Sequence, residues 1–171
     1  MISSPCCGWC DFKVGDFSGK ASYLMTTPLD LVDCFLEYFD KGSGSAYIDE
    51  EGTNFTFVVS DVEIFIIAME DDGEYHLHIM EKLFPADLAK ELIFDIEPFY
   101  DLWCSRFFGF GEDLEYDEKI NQELSEGIKK LKDVLRIRGY WDDDCDEKVK
   151  SIATVADNEE DKKEGERKDE D

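Results

Sequence analysis

Hydrophobic residues recur along the chain with two different periods, one typical of strands and one typical of helices. Between residues 46 and 80, short apolar runs are separated by turn residues, which predicts four strands at 46–49, 55–59, 62–69 and 75–80. The connections are short, and one contains the Asp72-Gly73 pair of a tight hairpin, so neighbouring strands are expected to be antiparallel. The third run is apolar on both faces. It is therefore expected to lie centrally in the sheet and to be covered by helices on both sides.

Three longer stretches carry apolar residues at helical spacing. The first is expected to begin at Thr27, whose hydroxyl can cap it, and to end at Gly42. The second begins at Pro85 and is expected to kink or split at Pro98. The third covers about 116–138, and its narrow apolar stripe is expected to dock on the sheet or on the second helix. These elements predict an α+β fold, with an antiparallel meander of about four strands packed against two or three helices.

The two ends of the chain differ from this pattern. Residues 1–25 combine three cysteines with scattered glycines and aromatic residues, which predicts irregular structure with one short strand at most. Residues 153–171 are rich in charge and poor in apolar side chains, so they are expected to be a disordered acidic tail. The expected organisation is a single domain over 1–152 followed by that tail.

Charge changes the picture most. The chain has 43 acidic residues against 18 Lys and Arg, for a formal net charge of -25 at pH 7. Residues 157–171 contribute only -5 of this, so the folded part is itself strongly acidic. Such a field repels nucleic acid and anionic lipid and attracts basic surfaces, although the same acidity would also serve to keep a protein soluble. Neither a 20-residue apolar run nor an export leader is evident, so a cytoplasmic location without membrane contact is expected.

Candidate chemistry is sparse. Cys6, Cys7 and Cys10 form a cluster that lacks the second ligand pair of a structural zinc site. His76 and His78 lie two apart on a predicted strand and therefore share one face with Glu74, for which a polar exposed face is the preferred interpretation over a metal site. These cysteines and histidines are weak metal candidates only. The sequence contains no nucleophile elbow, phosphate-binding loop or zinc-protease motif, so neither an enzyme nor a cofactor is expected.

Several segments resemble small acidic immunity proteins of bacterial polymorphic toxin systems. The resemblance covers roughly residues 20–110. It rests on Asp49-Glu50-Glu51-Gly52 leading into the strand at 55–59, and on an aromatic-rich second helix with Asp95-Ile96-Glu97 and Leu102-Trp103. Immunity proteins are cytoplasmic, mostly lack enzyme activity and occlude a cognate toxin. The resemblance implies this function and assigns no particular residue.

The leading hypothesis is thus an acidic inhibitor that binds a basic protein such as a toxin or a nuclease-like enzyme. One alternative is a nucleic-acid mimic from a phage or mobile element, with carboxylates at phosphate-like spacing. Another is a metal-binding protein or metalloenzyme that uses the cysteines and histidines. The residues expected to contact the partner flank the hairpin and the break before the third helix: Asp71, Asp72, Glu74, Glu112, Asp113 and Glu115.

Overall fold

A computed structural model describes residues 1–3, 5, 9–22, 26–70, 72–106 and 114–168, with side chains for all of these but 105–106, 114–117 and 156–168. The fold is α+β, as the sequence predicted. Four antiparallel strands form a sheet in the order β3-β4-β5-β6. They are β3 (Ser43–Asp49), β4 (Asn54–Ser60), β5 (Ile64–Met69) and β6 (Tyr75–Ile79).

Each predicted strand of the meander is present, and the largest boundary difference is at β3, which begins three residues before Ala46. Gly44 explains the early start. A Cβ built on this residue would lie 1.9 Å from the carbonyl oxygen of Cys34, so only glycine lets the strand pass this close to the first helix. No local pattern predicts a glycine inside this strand, because the contact that requires it is tertiary.

The two faces of the sheet have different environments. Alternate residues such as Phe57 and Ile66 are fully buried beneath the first helix and the N-terminal hairpin. The intervening residues point away from the core, and Ile67 on the central strand β5 is 39% exposed. The prediction that helices cover both faces of β5 was therefore wrong. Its double-sided apolar character comes from a second face that is open to solvent.

The N-terminal segment forms a hairpin, β1 (Trp9–Val14) and β2 (Phe17–Ser22), where the sequence predicted irregular structure. Alternation of Cys10, Phe12 and Val14 with polar neighbours was the missed signal, because all three are buried. The ring of Phe12 lies 4.9 Å from that of Phe55, between centroids. Since aromatic pairs bury a large apolar area, the hairpin becomes part of the main core.

Helix α1 (Thr27–Lys41) agrees closely with the prediction and ends at Gly42, whose left-handed φ of 81° lets its N–H donate to the Tyr38 carbonyl oxygen. Its start differs in detail. Thr26 occupies the capping position, whereas the Thr27 hydroxyl is buried and has no hydrogen-bond partner among the described residues. The prediction that Thr27 caps the helix was therefore wrong.

The second helical stretch divides at Pro98, as predicted, because proline cannot donate the helical hydrogen bond. It consists of α2 (Pro85–Ile96), a 3-10 turn (Glu97–Phe99) and α3 (Tyr100–Arg106). Helix α4 (Leu114–Ile137) follows. Its predicted apolar stripe is buried, but it packs mainly against α1 and less against α2, with the Val32 side chain close to Gly127.

The last helix, α5 (Asp143–Lys168), continues through the segment for which the sequence predicted disorder from residue 153. Trp141 and Val149 are buried at its start, and the Trp141 ring lies 5.5 Å from Phe94. Beyond this anchor, Glu and Lys dominate the sequence, and both are strong helix formers that support one another at a spacing of four residues. The helix propensity of these residues thus accounts for the helical backbone in this segment.

Candidate protein-binding surface

The outward-facing side of the four-stranded sheet carries several exposed apolar side chains, and we refer to it as the open face. Strand register defines it. Tyr47 lies opposite Thr56, Thr56 opposite Ile67, and Ile67 opposite Leu77. Extending these rows by steps of two gives its central members: Ser45, Tyr47, Thr56, Val58, Phe65, Ile67, Met69, Tyr75, Leu77 and Ile79.

The open face is apolar and becomes more exposed towards β6. Tyr75, Leu77 and Ile79 on this strand are 60%, 61% and 51% exposed. Single exposed hydrophobic residues are normal, but a contiguous group of them on one side of a sheet is a mark of an interaction site. No charged side chain lies among the central members of this face, so its middle offers only apolar and hydroxyl groups.

Carboxylates surround the open face without any balancing cation from the sheet. Residues 42–81 form all four strands and their connections, and they contain neither Lys nor Arg. The acidic residues of this segment are Asp49, Glu50, Glu51, Asp61, Glu63, Glu70, Asp71, Asp72, Glu74 and Glu81. Those among the described residues fall in the turns and at strand ends, so the sheet has an apolar centre with a negative rim.

The hairpin between β5 and β6 holds two of the acids expected to contact a partner. Asp72 and Glu74 are both exposed, and the Asp72 carboxylate accepts a hydrogen bond of 2.9 Å from the Glu74 backbone N–H. Gly73 provides the left-handed turn with a φ of 81°. These two carboxylates stand at one end of β6 on the His76 side of the strand, because Glu74 alternates with His76 and the Asp72 carboxylate lies 3.7 Å from the His76 ring.

The other predicted contact residues cannot be placed at this surface. Asp71, Glu112 and Asp113 lie outside the described residues, and Glu115 lies in α4 with its backbone alone described. The open face itself was not predicted from the sequence. Residues 64–69 are apolar on both faces and lie next to β6, and this pattern was interpreted as a strand covered by helices on both sides.

His76 and His78 point towards the core side of β6, opposite Ala68 and Ile66, and not onto the open face. The ring of His78 packs edge-on against Phe17, and its Nε2 lies 3.2 Å from Glu70 Oε1. His76 instead has its Nε2 3.7 Å from Asp72 Oδ2. The preferred interpretation, a shared polar exposed face, was thus wrong for His78, which is half-buried at the edge of the core.

The cysteines are free thiols wherever they are described, namely Cys10, Cys34, Cys104 and Cys145. Burial raises the pKa of Cys10 to about 12, and the nearby Asp11 carboxylate adds to this effect. Because metals bind the thiolate, Cys10 is a poor metal ligand in this setting. Cys6 and Cys7 lie outside the described residues. Within the remainder, no three His, Cys, Asp or Glu side chains come together as a metal site would require.

A groove of about 760 Å³ borders the open face beyond Ile79. It lies between the β4–β5 turn, the β6–α2 connection and the α4–α5 turn. Val62 and Phe84 are 89% and 69% exposed on its walls. Arg138 also lines it, but its guanidinium is engaged, donating to the Phe39 carbonyl oxygen and stacking on the Phe39 ring. The groove therefore places exposed apolar side chains next to charged ones, among them Asp61, Glu63 and Lys82, at the border of the sheet.

Comparison with known proteins gave no relative: no family model, no curated protein and no solved structure matches this chain. None of the helices among the described residues is long and apolar enough to cross a bilayer.

Proposed function

We propose that this protein is an acidic inhibitor that captures a basic protein partner through the open face, in the manner of an immunity protein that neutralises a toxin. The observation that carries this proposal is the apolar centre of Ile67, Leu77 and Ile79, set within a sheet that contains no Lys or Arg. Protein interfaces commonly combine such an apolar core with a polar rim. A cytoplasmic location suits the free cysteines of this chain, because the cytoplasm keeps thiols reduced.

The two parts of the surface would act at different stages of binding. Long-range attraction between a net charge of -25 and a basic partner accelerates encounter, and this effect weakens as salt is added. Burial of exposed side chains such as Tyr75 and Leu77 then slows dissociation, since each buried apolar group contributes free energy roughly in proportion to its area. Acidity alone would accelerate encounter but would not slow dissociation.

The same surface argues for a protein partner over nucleic-acid mimicry. A mimic presents carboxylates across its binding face in place of phosphates, whereas the centre of the open face carries Val58, Phe65 and Ile67. Carboxylates at the ends of the strands and in the turns suit a partner whose own cations surround an apolar patch.

Site-directed photo-crosslinking in the native host tests the proposal. A photoreactive amino acid is placed at Leu77 on the open face, and a control at Ile137, which is 86% exposed at the end of α4. The proposal predicts a basic protein crosslinked from Leu77 and not from Ile137. An acidic protein, equal labelling from both positions, or no adduct specific to Leu77 would contradict it.

Co-expression then tests the immunity role. The captured protein is expressed in a heterologous host with and without the inhibitor. Growth arrest that is relieved by the wild-type inhibitor and not by its Leu77→Lys variant is the expected result. A captured protein that is harmless when expressed alone would leave binding intact but remove the toxin from the proposal.

A further inference from the structure

Within the part of the chain that the structure describes, strand β6 is an edge of the sheet, since it pairs there with β5 and with no other strand. Two hydrogen bonds determine which of its backbone groups are free: Met80 N–H donates to Ile64 O, and Glu70 N–H donates to Glu74 O. In an antiparallel ladder, inward-bonding residues alternate with outward-facing ones. His76 and His78 therefore bond towards β5, and Tyr75, Leu77 and Ile79 direct their N–H and C=O groups away from the sheet.

This edge lacks the features by which proteins usually protect an exposed strand. Residues 75–79 contain no Lys, no Pro and no bulge, and the register with β5 is uninterrupted. The side chains above the outward backbone groups are the three most exposed apolar residues of the open face. An incoming strand would thus find both hydrogen-bonding groups and an apolar row to extend.

Charge at the two ends of β6 indicates which strand would fit. Asp72 and Glu74 precede the strand, and Glu81 follows it, with Lys82 the first cation beyond. A second copy of this chain, whether parallel or antiparallel, would bring these acidic ends close to one another. A segment flanked by Lys or Arg would instead place its cations beside them.

We propose that the partner adds an extended segment to β6 as a fifth strand, with alternate apolar side chains on the open face and basic residues at its ends. This proposal rests on the proposed function, because it specifies how the basic partner is held. Main-chain hydrogen bonds to Tyr75, Leu77 and Ile79 supply binding, while the apolar row and the acidic ends select the sequence.

Amide hydrogen exchange resolved by NMR tests the proposal with synthetic peptides. The test peptide has a Val-Thr-Val-Thr-Val centre flanked by two Lys at each end, and the control peptide has Glu in place of every Lys. The Lys peptide is expected to slow exchange at the Tyr75, Leu77 and Ile79 amides at least about tenfold when near saturation. The inward amides of His76 and His78 are already protected and serve as an internal reference.

A pair of variants separates strand addition from nonspecific attraction. Leu77→Lys places a cation on the edge. It is expected to lower the affinity for the Lys peptide at least about tenfold, or to abolish its binding. Ile137→Lys adds the same charge at a side chain that is 86% exposed at the end of α4, outside the open face and the groove, and it is expected to change affinity less than about threefold. Equal losses in the two variants would overturn the proposal.

The remaining outcomes of the peptide experiment also test the proposal. Protection by both peptides would show pairing without charge selection and would refute the basic-segment part. Binding of the Lys peptide without protection at the three outward amides, or no binding below about 1 mM, would refute strand addition. Neither result affects the crosslinking test at Leu77, so docking of a folded basic partner on the open face would remain testable on its own.

Discussion

Ile66 on β5 lies directly opposite His78 on β6, and both side chains face the core. Their next neighbours along each strand, Ile67 and Leu77, form a second cross-strand pair on the opposite side of the sheet. A shift of one residue would exchange the two faces, so this single register determines that the apolar row is exposed.

Matched truncations on the two faces test that register. Ile66→Ala removes a fully buried side chain and is expected to lower the free energy of unfolding by about 2–5 kcal/mol. Ile67→Ala, one residue along, is expected to cost less than about 1 kcal/mol because its side chain is already 39% exposed. Urea denaturation measures both. Similar losses would mean that the open face is covered.

Gly44→Ala tests the close approach of β3 to α1. The new methyl group would collide with the Cys34 carbonyl oxygen, which belongs to helix backbone and cannot rotate away. We expect a loss of about 3 kcal/mol or more in unfolding free energy, or failure to fold. Ser45→Ala, at the next and exposed position, is the control and is expected to stay within about 0.5 kcal/mol of wild type.

The contact between α4 and α5 predicts a specific acid sensitivity. Partial burial opposes ionisation of Asp146, but hydrogen bonds from Arg136 (2.6 Å), Lys132 and Trp141 outweigh it and lower the pKa of the carboxyl to about 2, from 3.8. A lowered folded-state pKa stabilises the protein above the unfolded value and loses that contribution as the pH falls.

Thermal denaturation between pH 5 and pH 2 measures this contribution. The difference in stability between wild type and Asp146→Asn should be full above about pH 4 and shrink as the pH approaches 2. Asp144→Asn, an exposed carboxylate on the same helical turn, is the control and should follow wild type closely. A difference between wild type and Asp146→Asn that does not change with pH would contradict the assignment of this ion pair.

Thiol reactivity should follow burial. Burial, assisted by neighbouring carboxylates, raises the pKa of both Cys10 and Cys34 to about 12, so almost no thiolate forms at neutral pH. We expect both residues to resist iodoacetamide in the folded protein and to react fully in denaturant, as read by peptide mass spectrometry. Alkylation of Cys10 in the native state as fast as that of the half-exposed Cys145 would contradict the packing of β1.

Much of the fold was predictable because its signals are local. The proline after Thr27, the glycine at position 42 and the alternation within β4 report on their own neighbourhoods, and these elements were placed correctly. The hairpin of β1 and β2 was not predicted, because the apolar alternation covers only residues 10–14 and the partner strand Phe17–Ser22 has no comparable pattern.

The candidate surface was less predictable, because it depends on what covers each side of the sheet. The pattern at 64–69 shows that both faces of β5 are apolar, but no local signal reveals whether a helix lies above Ile67. The acids chosen from the hairpin, Asp72 and Glu74, lie at one end of β6 on the side of His76. Their contact with a partner remains a prediction.

We propose that an acidic rim and an apolar sheet face together hold a basic partner. The most direct test is the association rate constant of the purified partner, as identified by the crosslinking experiment. Stopped-flow kinetics measures it at about 20 mM and 500 mM salt. We expect the association rate constant to fall at least about tenfold at high salt. We also expect Leu77→Lys to raise the dissociation rate and Ile137→Lys to leave it unchanged. A rate constant unchanged by salt, with equal dissociation from both variants, would contradict the proposal.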